Sequence, residues 1–252
     1  MIATHAAFSP TSDTLASPAG DSARGVLVLA VLHAVLAASA YLVLAMVFGF
    51  PDILREPGEI VLAAFAGNAG VIRVAYYVFT LSSLLFVPIA VLARRATAWS
   101  APGLVEVAAA FGLLAGFAQV LGFSRWPLYI PYLAGSFADA APGSSQADGI
   151  ILLYEAANRY SGMTVGEHLG WLFQGLWLVC LGVAVTRQQA RTAWLGWLGA
   201  AIGLLMLIGA GEQFQAGFED ILAIANMVST TAAPLWLIAL GVWLAREGRT
   251  SR

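Results

Sequence analysis

Residues 25–51 read GVLVLAVLHAVLAASAYLVLAMVFGFP and contain no Asp, Glu, Lys or Arg. Arg24 precedes the stretch and Asp52 follows it, so 27 residues stand between two charges. About 20 apolar residues in a helix, at about 1.5 Å each, cross the roughly 30 Å of hydrocarbon in a bilayer. The run can therefore span a membrane once. A charge at the bilayer centre costs about 2.5 to 3.5 kcal/mol, so charged residues bracket spans wherever they occur. Five more such gaps follow: Arg73 to Arg94 encloses 20 residues, Glu106 to Arg125 18, His168 to Arg187 18, Arg191 to Glu212 20 and Asp220 to Arg246 25. None shows the polar alternation of a barrel strand. A lone segment in lipid must satisfy its own backbone, which leaves the helix. The expectation is an all-α, six-span transmembrane helix bundle with short interfacial helices on the extracytoplasmic side.

The composition agrees with that expectation. Hydrophobic residues make up 60% of the 252 and charged ones 10%, and the mean hydropathy is +0.82, so a water-soluble fold could not hide the apolar surface. A net charge of −2 with no basic run excludes nucleic acid as a partner, and the partner expected instead is the lipid bilayer. All twelve cations are arginine, which fits a coding bias as well as a function. The single cysteine, Cys180, excludes an intramolecular disulfide and suits a packing residue. The organisation expected is a disordered cytoplasmic tail over 1–24, a six-helix transmembrane domain over 25–246 and a cytoplasmic tail over 247–252. Because the first apolar run continues through Tyr41 to Phe50, it suits an uncleaved anchor better than a signal peptide.

Sidedness follows from arginines in short loops. Arg24, Arg94, Arg95, Arg187, Arg191, Arg246, Arg249 and Arg252 fall on one side of the spans. On the other side are Arg55, Arg73, Arg125 and Arg159, diluted by ten carboxylates from Asp52 to Asp220. The eight-arginine side is expected to be the cytoplasm and to carry both chain ends. Trp99, Trp194, Trp197 and Trp243 near that face, and Trp126, Tyr129 and Tyr132 near the other, suit interfacial aromatic belts.

The outer connections are long and acidic, so any site should face outward. In FPDILREPGEIVLAAFAGNAG (50–70), Pro51 ends the first helix, and Glu59 to Phe65 suits either a short interfacial helix or a wet loop. Arg73 opens the second span, where it can snorkel or pair with Asp52, Glu56 or Glu59, and Pro88 should kink that helix near its inner end. In LGFSRWPLYIPYLAG (121–135), Arg125 meets the outer interface and the proline after Trp126 should stop the helix, with a loop to about Asp148. GIILLYEAANRYSG (149–162) places Ile150, Ile151, Leu153, Tyr154 and Ala157 at helical spacing, with Glu155 and Arg159 four apart and able to pair. It suits an interfacial helix or an outward extension of the fourth span.

The fourth span opens with GEHLGWLFQGLW (166–177). Glu167 and His168 lie within the first turns of membrane depth, where ionisable groups usually face protein or water, and Gln174 lies further along the helix. Gly166 with Gly170, Gly112 with Gly116 and Gly199 with Gly203 are small-residue pairs that let helices approach closely. The candidate ligand-binding residues are Arg73, Arg125, Glu167, His168, Gln174 and Glu212. A metal is not expected: His168 with Glu167, Glu212, Glu219 or Asp220 offers donors, but no two histidines share a helical face. No cofactor motif occurs either.

Three roles remain open on these residues. One is binding or transport of a small molecule through an outward-facing polar cavity. Another is an interaction or sensor subunit whose polar cluster only locks packing. The third is a membrane-embedded enzyme using Glu167 or His168 as general acid or base, with Arg125 holding an anionic group. No residue pattern sets the oligomeric state. FPDILREPGEIV, LGFSRWPLYIPYLA and GEHLGWLFQGLW together resemble the bacterial membrane proteins of domain-of-unknown-function family 4386, over nearly the whole chain after the tail. The resemblance implies a multi-pass protein of a bacterial inner membrane and assigns no activity, cofactor or catalytic residue.

Overall fold

The computed structural model describes residues 18–97, 101–188, 190–214 and 217–250. His5, Trp99, Arg252 and residues 1–17 of the expected tail lie outside them, as do the side chains of Arg191, Glu219 and Arg249. Helix α1 (Pro18–Phe48) begins inside the stretch expected to be a tail. Pro18 suits a first helical position, and Asp21 in the first turn complements the helix dipole. The helix ends at Gly49, whose φ of 71° is a conformation glycine adopts without penalty. After a 3-10 turn (Asp52–Arg55), the segment that suited either helix or loop forms α2 (Gly58–Gly67), which buries Val61, Leu62 and Phe65.

Then come α3 (Ala69–Thr97), α4 (Pro102–Leu128) and α5 (Ile130–Asp139). Helix α4 ends one residue after Pro127, as expected, but the loop expected to about Asp148 needs correction, since α5 occupies much of it. Pro127 lies inside the last turn of α4, and α5 resumes after Tyr129 with Pro131 in its first turn, where a missing N–H costs nothing. The fourth span begins with α6 (Ser145–Ala157), capped by the Ser144 hydroxyl accepting from the Ala147 N–H at 3.2 Å. It continues without a break through a π-helical segment (Asn158–Leu169) into α7 (Gly170–Thr186). GIILLYEAANRYSG is thus a continuous extension of the fourth span. The expected Glu155–Arg159 ion pair does not occur among the described residues, because the widened turns from Asn158 no longer align positions four apart. The Thr164 hydroxyl accordingly reaches the carbonyl of Arg159, five residues back. Helix α8 (Ala193–Gly209), a 3-10 turn (Ala210–Phe214) and α9 (Glu219–Thr250) complete the chain.

Six helical runs are long and apolar enough to cross a membrane: Gly20–Phe48, Ala69–Thr97, Pro102–Asp139, Ser145–Thr186, Ala193–Phe214 and Asp220–Glu247. The described residues contain no strand, and the chain is a multi-pass all-α membrane protein. Val28, Met46, Val74, Phe117, Leu204 and Leu235 stand exposed around the bundle. In water such a girdle would aggregate, whereas in lipid it is ordinary contact surface. Several hydroxyls inside the spans bond their own helix, as Thr80 does to the Tyr76 carbonyl at 2.8 Å and Thr97 to that of Ala93 at 2.7 Å.

The spans form a closed ring in chain order. Each of α1, α3, α4, α7, α8 and α9 packs on the next, and α9 returns to α1. An even number of crossings places both chain ends on one face, the terminal end, and leaves α2, α5 and α6 at the other, the loop end. One apolar cluster, with Phe86, Trp177, Leu178, Trp236 and Leu240, fills the ring. A second, with Phe48, Phe65, Tyr76, Trp126, Ile130 and Tyr154, sits at the loop end beneath α2, α5 and α6. Lipid tails are as apolar as leucine, so these clusters stabilise by close packing more than by removal from water. The small-residue pairs lie on such contacts. A methyl at Gly203 would stand 2.7 Å from the Gly175 carbonyl oxygen, and one at Gly112 2.6 Å from the Ala90 Cβ.

Candidate functional site

Arg125 organises the loop end from the last turn of α4. Its Nη1–H donates to the Gly122 carbonyl at 2.5 Å and its Nη2–H to Asn158 Oδ1 at 2.9 Å. Glycines make the space for it. A methyl at Gly162 would lie 2.6 Å from the guanidinium carbon, and one at Gly122 would lie 2.5 Å from the Gly166 Cα. Helix α4 and the π-helical segment therefore touch backbone to backbone beside a buried cation. Such wide turns recur at functional sites.

The aromatic wall next to Arg125 corrects a sequence expectation. Trp126 was expected in an interfacial belt, yet it is fully buried. It stacks on Tyr76 with centroids 4.7 Å apart and planes 7° from parallel, and Phe65 and Tyr154 stand 6.1 and 6.4 Å away. The Arg125 guanidinium carbon lies 5.3 Å from the Trp126 ring centroid, within cation–π range. Tyr129 and Tyr132 are exposed, as are Trp194 and Trp197 at the terminal end, while Trp243 packs partly against the ring cluster.

Among the described residues, three polar atoms around this wall have no hydrogen-bond partner: Arg125 Nε, the Tyr76 hydroxyl and the Tyr154 hydroxyl. All three residues are buried, at 8%, 0% and 2% exposure. Both phenols lie within electrostatic reach of the guanidinium, as does Glu167. An unmet buried donor costs about 1 to 3 kcal/mol, so three on one cluster is a large unpaid demand for oxygen acceptors.

The 3-10 turn Ala210–Phe214 folds over the other side of the π-helical segment. Glu167 Oε2 accepts from Gln213 Nε2 at 2.8 Å. His168 Nδ1 lies 2.9 Å from the Ala210 carbonyl oxygen, and its ring meets the Phe214 ring edge-on at 5.0 Å. A bond there requires the proton on Nδ1, which leaves Nε2 as the basic nitrogen. Glu212 pairs with Arg55 and accepts from Asn226 Nδ2 at 3.3 Å. Glu212 and Arg55 also lie within electrostatic reach of Glu167.

The six candidate residues thus separate. Arg125 and Glu167 share the centre, and His168 and Glu212 form its rim. Gln174 lies deeper and bonds Gln119 at 2.7 Å. Arg73 is exposed in a different groove, with Tyr77 and Leu128, and pairs with none of Asp52, Glu56 or Glu59. Among the described residues, no three His, Cys, Asp or Glu side chains gather in a way that could hold a metal ion. Asn158, Tyr76, Tyr154 and Gln213 belong to the site and were not singled out from sequence as site residues. Tyr154 counted only as part of an apolar face, and nothing in the order of residues separates buried Tyr76 from exposed Tyr77.

The profile of the family described as "Domain of unknown function (DUF4386)" matches residues 24–248. Neither the curated proteins nor the solved structures supply a match.

Proposed function

We propose that this chain, which belongs to the DUF4386 family, binds a small, acceptor-rich polar molecule at Arg125 from the extracytoplasmic face of a bacterial inner membrane. The observation that carries this reading is the set of three buried, partnerless groups, Arg125 Nε and the Tyr76 and Tyr154 hydroxyls, around one indole. A cluster serving only to lock helices would meet its own demands. Here the aromatic faces supply contact area and the hydroxyls and guanidinium supply direction, as in small-molecule sites generally. Glu167, within electrostatic reach of Arg125, adds a carboxyl group on one side of the cluster, which favours a ligand that is neutral or singly charged.

Asn158 holds the outer side of the guanidinium, so a thiol there reports water access to the site. In a Cys180→Ala background, an anionic, membrane-impermeant methanethiosulfonate added to spheroplasts should modify Asn158→Cys rapidly. It should leave Ser82→Cys, at 1% exposure in mid-bundle, unmodified. The anionic reagent should outpace a cationic one, and adding Arg125→Leu should remove that difference. Protection of position 158 from both reagents would sink the proposal, and modification only from the cytoplasmic side would reverse its sidedness.

Another reading, a packing or interaction subunit, draws on Gln174 with Gln119 and Glu167 with Gln213, which already satisfy each other. It accounts for those pairs and leaves the Arg125 cluster unexplained.

A further inference from the structure

Arg73 plays no part in that site, yet its surroundings are specific. It lies in the first turns of α3 at the loop end, and no hydrogen bond or ion pair engages it among the described residues. Beside it runs a groove of about 380 Å3, lined by Arg73, Val74, Tyr77 and Val78 of α3 and by Pro127 and Leu128 of α4. Tyr77 is 53% and Leu128 74% exposed, so the groove opens on the outside of the ring, where lipid lies. Exposed Tyr129 and Tyr132 follow directly after its α4 wall, and tyrosines at such a span end suit the headgroup level. Gly70 completes the lining, and where its side chain would stand there is open space among the described residues.

A cation at that depth needs a counter-anion. Glu59, the nearest carboxylate in sequence on α2, lines a separate groove with Ala134 and Asp148 between α2, α5 and α6. The anion a bilayer supplies at this level is a phosphodiester, and arginine matches its oxygens with two parallel N–H groups. Below Arg73 the lining is apolar for about 7 Å of helix, from position 73 to position 78, which suits a hydrocarbon chain.

We propose that the α3–α4 groove holds a membrane phospholipid, its phosphate on Arg73 and an acyl chain along Val74, Tyr77, Val78 and Leu128. This site is independent of the Arg125 site. The test is native mass spectrometry of the full chain in nonionic detergent with phosphatidylglycerol or with diacylglycerol of the same acyl chains. Wild type should retain the phospholipid over the diacylglycerol, and Arg73→Gln should lower phospholipid retention about fivefold, the worth of one interfacial arginine. Gly70→Trp, which fills that open space, should lower retention of both lipids. Arg95→Gln, exposed at the terminal end, should change neither. Arg73→Gln alters an exposed side chain, so its thermal melt should match wild type and a loss of lipid would not reflect unfolding. Equal retention of the two lipids by wild type, or unchanged retention by Arg73→Gln, would overturn the proposal. Displacement of the phospholipid by inorganic phosphate alone would also overturn it, by reducing the site to a free-anion contact.

Discussion

Two of the polar groupings inside the bundle lie at different depths, and they differ in how completely their members answer each other. In mid-bundle, His33 of α1 faces Ser82 of α3. The imidazole Nδ1 lies 2.9 Å from the Ser82 carbonyl oxygen, and the Ser82 hydroxyl donates to the His33 carbonyl at 3.1 Å. Both residues are buried and each finds its partner in the other. At the loop end, Arg125 meets only Gly122 and Asn158, while its Nε and two neighbouring phenols go unanswered. A closed pair such as His33–Ser82 joins two helices and asks for nothing further. The open cluster pays a desolvation cost that a packing role does not recover. In lipid, where the surroundings offer no replacement hydrogen bonds, that contrast is what the binding proposal rests on.

Substitutions can break or sharpen the contrast. The largest effect belongs to Arg125→Leu, which strips Glu167 of a neighbouring countercharge and leaves Asn158 without its donor. It should destabilise the protein by about 3 kcal/mol, the cost of breaking a buried charge arrangement, seen as a lower thermal midpoint in detergent. Arg125→Leu with Glu167→Gln should recover part of that loss, and no recovery would show that the two charges are not coupled. Gly166→Ala comes next. Its methyl would stand 2.8 Å from the Gly122 Cα, a backbone atom that cannot step aside, so a loss of about 2 kcal/mol is expected from overpacking. A wild-type melt for this variant would mean that the helices are further apart.

The two smaller predictions have opposite signs. Ser82→Ala removes a satisfied interhelical bond and should cost about 1 kcal/mol in the same melt. Tyr154→Phe removes a hydroxyl that has no partner, so ligand-free protein should be unchanged or stabilised by about 0.5 kcal/mol. Destabilisation by Tyr154→Phe comparable to that of Ser82→Ala would place both groupings in the structural class and remove the basis of the binding proposal.

Arg125 and Arg73 show how far the candidate site was legible. Both are arginines at the loop end of apolar runs, and their positions in the chain justify singling them out equally. Packing then gave them opposite surroundings: Arg125 is 8% exposed against Trp126, and Arg73 stands outside the ring in a lipid-facing groove. The partners of Arg125 come from α3, α6 and the π-helical segment, which are distant in sequence and carry no motif. The widening at Asn158 also shifts the register that four-residue spacing assumes, so Glu155 and Arg159 do not pair. Trp126 went the same way, since an aromatic residue beside a charge near a span end suits an interface until α2, α5 and α6 cover it.

What the order of residues determined unaided is the number of candidate crossings, the helical class, and the limits of four of the six runs to within several residues; the third and fourth runs reach well past their expected ends, to Asp139 and back to Ser145. The cost of a charge in hydrocarbon and the need to satisfy the backbone are properties of each segment alone, so they can be computed along the chain without knowing its neighbours. Which polar groups meet, and which are left open, was decided only in three dimensions. That outcome depends on the rotation and closeness of helices at contacts such as Gly122 with Gly166, and pairwise packing between distant segments leaves no periodic trace in any one of them.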